Sequence, residues 1–408
     1  MKELNIAKAA LYGIFLNYYC YYVIRGSFIP MGTVLFLGIS GLCVAVDIWR
    51  QGSIYISREI WCWIFYAVLS LFTTLLVTAD SASIGFVSDI VKYVQRLLII
   101  MMVAYICERE KSIRFGLQLM AITAFAAAVS ILMVTDDIQR KLSVDSGANL
   151  SANDIGAIMS FGCFAILFAW GKRGRSPLLL SSFKTIGIIA CICVIFLAGS
   201  RKSIFGVVIM LVLMILLCFR DYCRNFDARQ FFTVLIVGIA AYLFVSENLL
   251  PVAEQTNLYQ RLFGRGAAGA SASDEGRIEL YLLALEDFLA HPIFGLGFAQ
   301  FTVKHGNYTH STYAEPLACS GLLGLLYLYP YYSMVKKQLS LIFANKRGSL
   351  AQLKQKEILV YLCVFLFVGI GIPYMYKDVP CILLGTFIAS QKISVEELGE
   401  TGQTSANY

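Results

Sequence analysis

Apolar runs long enough to cross a bilayer recur along nearly the whole chain, centred near residues 16, 37, 69, 98, 124, 162, 191, 211, 239, 324, 365 and 384. A stretch of about 20 apolar residues spans the roughly 30 Å hydrocarbon core of a membrane. Inside that core each backbone N–H and C=O must be satisfied by the segment itself, which leaves the α-helix as the spanning unit for runs of this length. The expected fold class is therefore all-α, a polytopic transmembrane bundle of twelve helices, the last of them short, near 379–391. Composition points the same way: 14% of residues are charged and mean hydropathy is +0.71, against about 25% charged in soluble domains. One integral membrane domain over 1–393 accounts for the chain. The polar segment 394–408 lacks an apolar period and reads as a disordered cytoplasmic tail.

The net charge of +7 would suggest nucleic acid in a soluble protein, but the positive-inside rule explains it here. With the N-terminus in the cytoplasm and helices alternating in direction, 21 of the 33 Lys and Arg fall inside and 10 outside. Both termini are then cytoplasmic, and no nucleic-acid partner is expected. The N-terminal segment reads as a first anchor, since no small-residue cleavage site follows its apolar run. The twelve cysteines lie almost entirely within apolar runs, where cysteine behaves as a small hydrophobe.

One polar excursion interrupts the apolar pattern, an extracytoplasmic loop over about 248–312 between the ninth and tenth helices. It holds all three histidines, His291, His305 and His310, and a Gly264–Gly276 run read as a lid. Asp274 and Glu275 suit a helix first turn, and Ile278, Leu282, Leu285 and Leu289 recur at helical spacing. The expectation is an amphipathic helix lying on the membrane or on the bundle, ending before Pro292. Arg277 would then stand near its N-terminus, where the helix dipole also favours a phosphate. A tight turn, His291-Pro292-Ile293-Phe294-Gly295-Leu296-Gly297, follows, with His305 expected in an exposed turn.

Outside the loop, Asp89, Lys92 and Arg96 recur at three and four residues and share one face of the fourth helix. Charges within a span are costly unless partnered or facing a polar cavity. Two readings stay open: an electropositive wall at the outer leaflet, or an Asp89–Lys92 pair with Arg96 snorkelling outward. The seventh helix ends at Gly199-Ser200-Arg201-Lys202-Ser203 and the eighth begins almost at once. That pins Arg201 at the outer face, where a guanidinium is preorganised for bidentate phosphate binding. His310 lies where the loop re-enters the membrane and can exchange a proton near neutral pH. A zinc site is not expected, because His305 and His310 are five apart with only Glu315 as a third ligand.

The Gly-Ser-Arg turn at 199–201, Gly276-Arg277, Pro292 with Gly295 and Gly297, and His310 followed by Tyr313 and Gly321 together resemble the bacterial O-antigen ligase and polysaccharide polymerase superfamily. The resemblance covers about 153–325. It implies an integral-membrane glycosyltransferase that moves a glycan from undecaprenyl diphosphate to an acceptor hydroxyl at the outer face of the bacterial plasma (inner) membrane. By that resemblance Arg201 and Arg277 bind the diphosphate and His310 activates the acceptor. Ser311 and Ala314 depart from the residues the family often carries there.

A basic groove of Lys92, Arg96, Arg201 and Arg277 would stabilise the leaving diphosphate without metal or cofactor, and direct displacement would invert the sugar. The implied partners are the lipid-linked donor, a glycan or lipid-linked acceptor, the bilayer, a flippase and a chain-length regulator. Polymerase is favoured over ligase. The competing classes are a transporter or lipid-linked glycan flippase, which would spread charges across both leaflets, and a binding protein, which would not need basic groups converging on one histidine.

Overall fold

The computed structural model describes residues 2–24, 29–51, 56–77, 84–134, 152–170, 178–198, 200–223 and 267–405. Its long helices are α1 (Lys2–Ile24), α2 (Ile29–Gln51), α3 (Arg58–Val77), α4 (Ile84–Arg109), α5 (Arg114–Val134), α6 (Ala152–Phe168), α7 (Leu178–Ala198) and α8 (Arg201–Cys223). After these come α9 (Ala267–Ala290), the short α10 (Gln300–His305) and α11 (Ala314–Ser320), then α12 (Gly324–Ala344), α13 (Leu350–Gly369) and α14 (Val379–Ser405). All regular structure among the described residues is helical, with 3-10 turns at Gly321–Leu323 and Tyr374–Tyr376. Five of these helices are long and apolar enough to cross a membrane: those containing 32–51, 58–76, 88–109, 114–132 and 201–219. The protein is a helical, multi-pass membrane protein. The apolar run near 239, and the loop from 248 to 266, lie outside the described residues.

The bundle packs α1 on α2 and α5, α5 on α6, α6 on α7 and α8, α8 on α13, α13 on α12, α12 on α3, and α14 on α4. Lipid is as apolar as leucine, so small residues and close backbone approach do more of this work than hydrophobic burial does. Gly162 of α6 meets Ala124 of α5, and Gly385 of α14 meets the Ile100 carbonyl of α4. An aromatic seam runs through the middle, with Phe164 stacked on Tyr361 at 4.0 Å and Phe365 beside Phe161 at 5.5 Å.

Ion pairs among the described residues fall into two groups, at opposite ends of the helices. At one end are Glu59–Lys337, Asp221–Lys356 and Glu108–Lys392, each at 2.5 Å, with Asp47–Arg109 at 3.4 Å. At the other end Asp154, in the first turn of α6, pairs with Lys377 just before α14 at 2.7 Å. Arg96 pairs with Asp378 at 2.8 Å. Alternating helix directions bring the starts of α6, α8 and α14 and the end of α13 to this second end.

Two helix boundaries differ from expectation. The last helix is not short: α14 continues beyond Gln391, past the start of the segment read as a tail, as far as Ser405. Its polar residues find partners inside the bundle, Gln391 donating to the Met334 carbonyl, Lys392 pairing with Glu108, and Ser394 accepting from Gln355. The loop helix α9 starts at Ala267 and not near Asp274, running through Gly269 and Gly276.

Candidate active site

The loop is anchored to the bundle by backbone contact that only glycine permits. Gly295 (φ +66°) lies against the main chain of Cys319 and Ser320, and Gly321 (φ +58°) against that of Pro292 and Ile293. A side chain at either position would collide, and both adopt the left-handed conformation that L residues avoid. Three hydrogen bonds close this junction: Leu296 N–H to the Ala318 carbonyl at 3.1 Å, Gly297 N–H to Cys319 at 2.8 Å, and Leu322 N–H to Pro292 at 2.8 Å. The tight turn read from the sequence is thus the hinge pin between α9 and α11.

The segment 308–313 then docks on the end of α13. Thr312 donates its N–H to the Gly369 carbonyl at 2.9 Å and its hydroxyl to the Ile372 carbonyl at 2.5 Å, while accepting from Tyr374 N–H at 3.1 Å. Tyr313 reaches the Leu366 carbonyl at 2.7 Å. His310 sits in this segment with φ +57°. A non-glycine residue held in that region stores about 1–3 kcal/mol, and such strain concentrates at functional sites.

The His310 imidazole is half-buried and its ring lies 4.4 Å from that of Tyr308. Its pKa is pushed down to about 4, first by burial, then by the charges of Arg277, Lys202 and Lys377, with Asp154 opposing them. The imidazole is therefore neutral at physiological pH and available to accept a proton. Burial and the nearby carboxylates of Asp154 and Glu315 push the Tyr308 phenol up to about 12. Lys377 Nζ lies 5.7 Å from the Tyr308 ring centre, within cation–π range.

Each cation is placed by a different element. Lys202, in the first turn of α8, extends over Gly371, where any side chain would collide with its ammonium. Arg277 comes from α9, one turn before Tyr281, whose hydroxyl donates to the Ile370 carbonyl at 2.8 Å and holds that helix against the end of α13. Lys377 is held by Asp154. The charges that act on the imidazole are thus those of three cations and one carboxylate, a balance that favours an anion nearby.

Of the residues picked from the sequence as cations, Arg277 is the one whose charge acts on His310. Arg201 is the half-buried first residue of α8, and its neighbour Lys202 is the one whose charge acts on His310. Arg277 is not near a helix N-terminus, because α9 begins ten residues earlier; dipole effects fade after the first turn, so its attraction for an anion rests on its own charge. Lys92 lies 3.4 Å from Asp89, both well exposed. Arg96 does not snorkel outward. Its Nε donates to Asp378 and its Nη1 to the Met375 carbonyl at 3.0 Å, with the side chain 11% exposed.

His305 is not in an exposed turn: its Nε2 lies 2.7 Å from Oδ2 of the buried Asp287, which Lys304 also pairs. His291 is exposed at the end of α9. The apolar stripe of α9 also faces away from the bundle. Ile278, Leu282, Leu285 and Leu289 are each more than half exposed, and Ala284, packed beside Leu280 and Leu283, takes the inner face with Asp287.

Lys202, Lys377, Asp154 and Tyr308 were not picked out. Lys202 was legible as a second charge in the 199–203 turn. Asp154 and Lys377 are lone charges at the edges of apolar runs, and nothing in the sequence relates residues 223 positions apart.

Arg96→Gln is expected to lower thermal stability through loss of the charged hydrogen bonds to Asp378 and Met375, worth about 1.5–3 kcal/mol each at the charged contact. Binding of an anionic donor should change little. A melting curve and a donor titration on the same purified variant check both halves.

Residues 186–329 match a protein-family model described as O-Antigen ligase. The match begins within α7, takes in α8 to α11 and ends early in α12, so it contains Arg201, Lys202, Arg277 and His310 but neither Asp154 nor Lys377. No curated protein matches the chain significantly.

Proposed function

We propose, for a chain whose residues 186–329 match a family model described as O-Antigen ligase, that it transfers a glycan from undecaprenyl diphosphate to a hydroxyl, at the outer face of the plasma membrane, by direct displacement. One observation carries this reading: half-buried His310 is held at φ +57° in a turn docked on the end of α13, where the charges of Arg277, Lys202 and Lys377, from separate elements, act on it. The diphosphate oxygens of the donor sit among Arg277, Lys202 and Arg201, with Lys92 further out along α4. Arg96 contributes by holding Asp378 beside Lys377.

The acceptor hydroxyl attacks the anomeric carbon as its proton passes to His310. The bond from that carbon to the diphosphate oxygen breaks with its electron pair leaving on the diphosphate, where the fixed cations stabilise the charge. Attack and departure on opposite faces invert the sugar, and no covalent enzyme intermediate forms. Before the donor arrives, burial and then the cations keep His310 a weak base. The donor's negative charge offsets them and raises its basicity toward the operating pH, where a general base works best, so the base strengthens as the site fills.

Polymerisation is the favoured outcome, with a second lipid-linked repeat as acceptor. Purified protein given lipid-linked repeat units alone should produce a ladder of lengths; no reaction until a lipopolysaccharide core is added would make it a ligase. Activity undiminished by a chelator is expected, and inhibition reversed by Mg²⁺ or Mn²⁺ would assign the diphosphate to a metal.

The orientation is tested separately. A reporter active only outside the cytoplasm should work when fused near Ala268 and fail near Asn345. The reverse pattern would place the His310 site in the cytoplasm and end this reading.

A further inference from the structure

Glu315 is wholly buried, and among the described residues no cation pairs with it. A buried carboxylate without a counter-charge is expensive unless donors saturate it, and here each oxygen has them. Oε2 accepts from Thr309 N–H at 2.6 Å. Oε1 accepts from the Tyr376 hydroxyl at 3.0 Å and faces the Cys319 thiol at 3.7 Å.

Those donors are placed where they matter for the site. Thr309 N–H belongs to the residue immediately before His310, whose backbone is held at φ +57°. Tyr376 ends the 3-10 turn Tyr374–Tyr376, directly before Lys377. One side chain therefore ties the strained turn that carries the imidazole to the turn that carries a cation facing it. Thr309 Oγ1, donating to the Ser311 carbonyl at 3.3 Å, and Ser311 Oγ, accepting from Tyr313 N–H at 3.1 Å, bond locally, while Thr312, on the far side of His310, bonds Ile372 and Tyr374 at the start of the 3-10 turn. Glu315 is the side chain that bonds both the residue next to His310 and the residue next to Lys377.

We infer that Glu315 is a positioning residue of the site, holding His310 in register with Lys377 through the Thr309 peptide and the Tyr376 hydroxyl. The inference rests on the glycosyltransferase reading for its effect on turnover, and on geometry alone for its effect on His310. The reach of the side chain is what matters, not its charge. The Glu315→Gln substitution retains an oxygen to accept from Thr309 N–H and supplies an amide to pair with the Tyr376 oxygen, whereas aspartate keeps the charge and is one methylene too short.

The test compares Glu315→Asp and Glu315→Gln in the full-length protein. Two readouts are taken: initial rates over a range of lipid-linked donor, and the rate of diethylpyrocarbonate acylation at each histidine by mass spectrometry, with exposed His291 as internal reference. Glu315→Asp should lower kcat by about 10²-fold, the scale of a 1 Å misplacement at a reacting group, with donor KM nearly unchanged. It should also raise acylation of His310 several-fold relative to His291. Glu315→Gln should keep most of kcat and wild-type protection of His310.

Wild-type acylation of His310 in Glu315→Asp, or a Glu315→Gln variant as impaired as Glu315→Asp, would overturn the inference. If Glu315→Asp does not accumulate as folded protein, Glu315→Gln decides: retained kcat and protection support the role, and loss of either refutes it. Should the wild type transfer no glycan from any lipid-linked donor, the glycosyltransferase reading fails while the acylation pattern still decides whether Glu315 holds His310.

Discussion

His310→Ala is expected to abolish glycan transfer while the protein inserts and accumulates normally. The side chain is half-buried at the junction of loop and bundle, its backbone is strained, and its ring contacts only Tyr308 among the aromatic rings described. Removing it opens little of the core, and alanine in place of the imidazole deletes the neutral proton acceptor that stands among the cations. The expected loss is at least about 10²-fold, the usual scale for general-base catalysis.

The other two histidines supply the contrast. His291→Ala, at an exposed helix end, should be nearly silent. His305→Ala removes one of two partners of buried Asp287, so it should lower stability and leave substantial activity. The pH profile gives the sign. Only neutral His310 accepts the proton, so kcat/KM, which reports the free enzyme, should fall as pH drops through about 4 and stay flat toward neutrality. The acid limb of kcat should lie higher, because bound diphosphate favours the imidazolium. Robust transfer by His310→Ala, measured with purified protein and lipid-linked donor, would refute the base role.

Arg277→Ala is expected to lower transfer by about 10²–10³-fold, the scale seen when one preorganised stabiliser of developing charge is removed. Arg277→Lys should recover only part of that, since a point charge replaces a planar bidentate fork. Arg277 also depresses the basicity of His310, so Arg277→Ala should raise the free-enzyme pKa and move the acid limb of kcat/KM to higher pH. A residue that merely braced the loop would lower activity without that movement. Lys202→Met should shift the limb in the same direction. If neither variant moves it while both lose activity, the cations do not face His310 and the anion site has been misplaced.

Much of the helical architecture was legible because spanning is a local property. Hydropathy over some twenty residues decides whether a segment can leave water, and backbone satisfaction then demands a helix. The turn between α7 and α8, the tight turn at 291–297 and the position of His310 could be read in the same way, from short-range chemistry. The stripe on α9 could be read as a stripe, but whether it met membrane or bundle stayed open, because in a bilayer an apolar face can lie outward as favourably as inward.

The start of α9 at Ala267, against two glycines, could not be read from propensity either. Its packing on α11 and the Tyr281 bond to Ile370 support the helix from beyond its own sequence. Which charges meet was decided by tertiary structure alone. Asp154 finds Lys377, Arg96 finds Asp378, and Lys202 lies over Gly371 because antiparallel helices carry residues hundreds of positions apart to one end of the bundle. The amino-acid sequence by itself determined that this chain lives in a membrane as helices and keeps its histidines in one polar loop. The pairing of helix ends determined that the charges of Arg277, Lys202 and Lys377 act on one of those histidines, since a charge acts across space and a sequence records only distance along the chain.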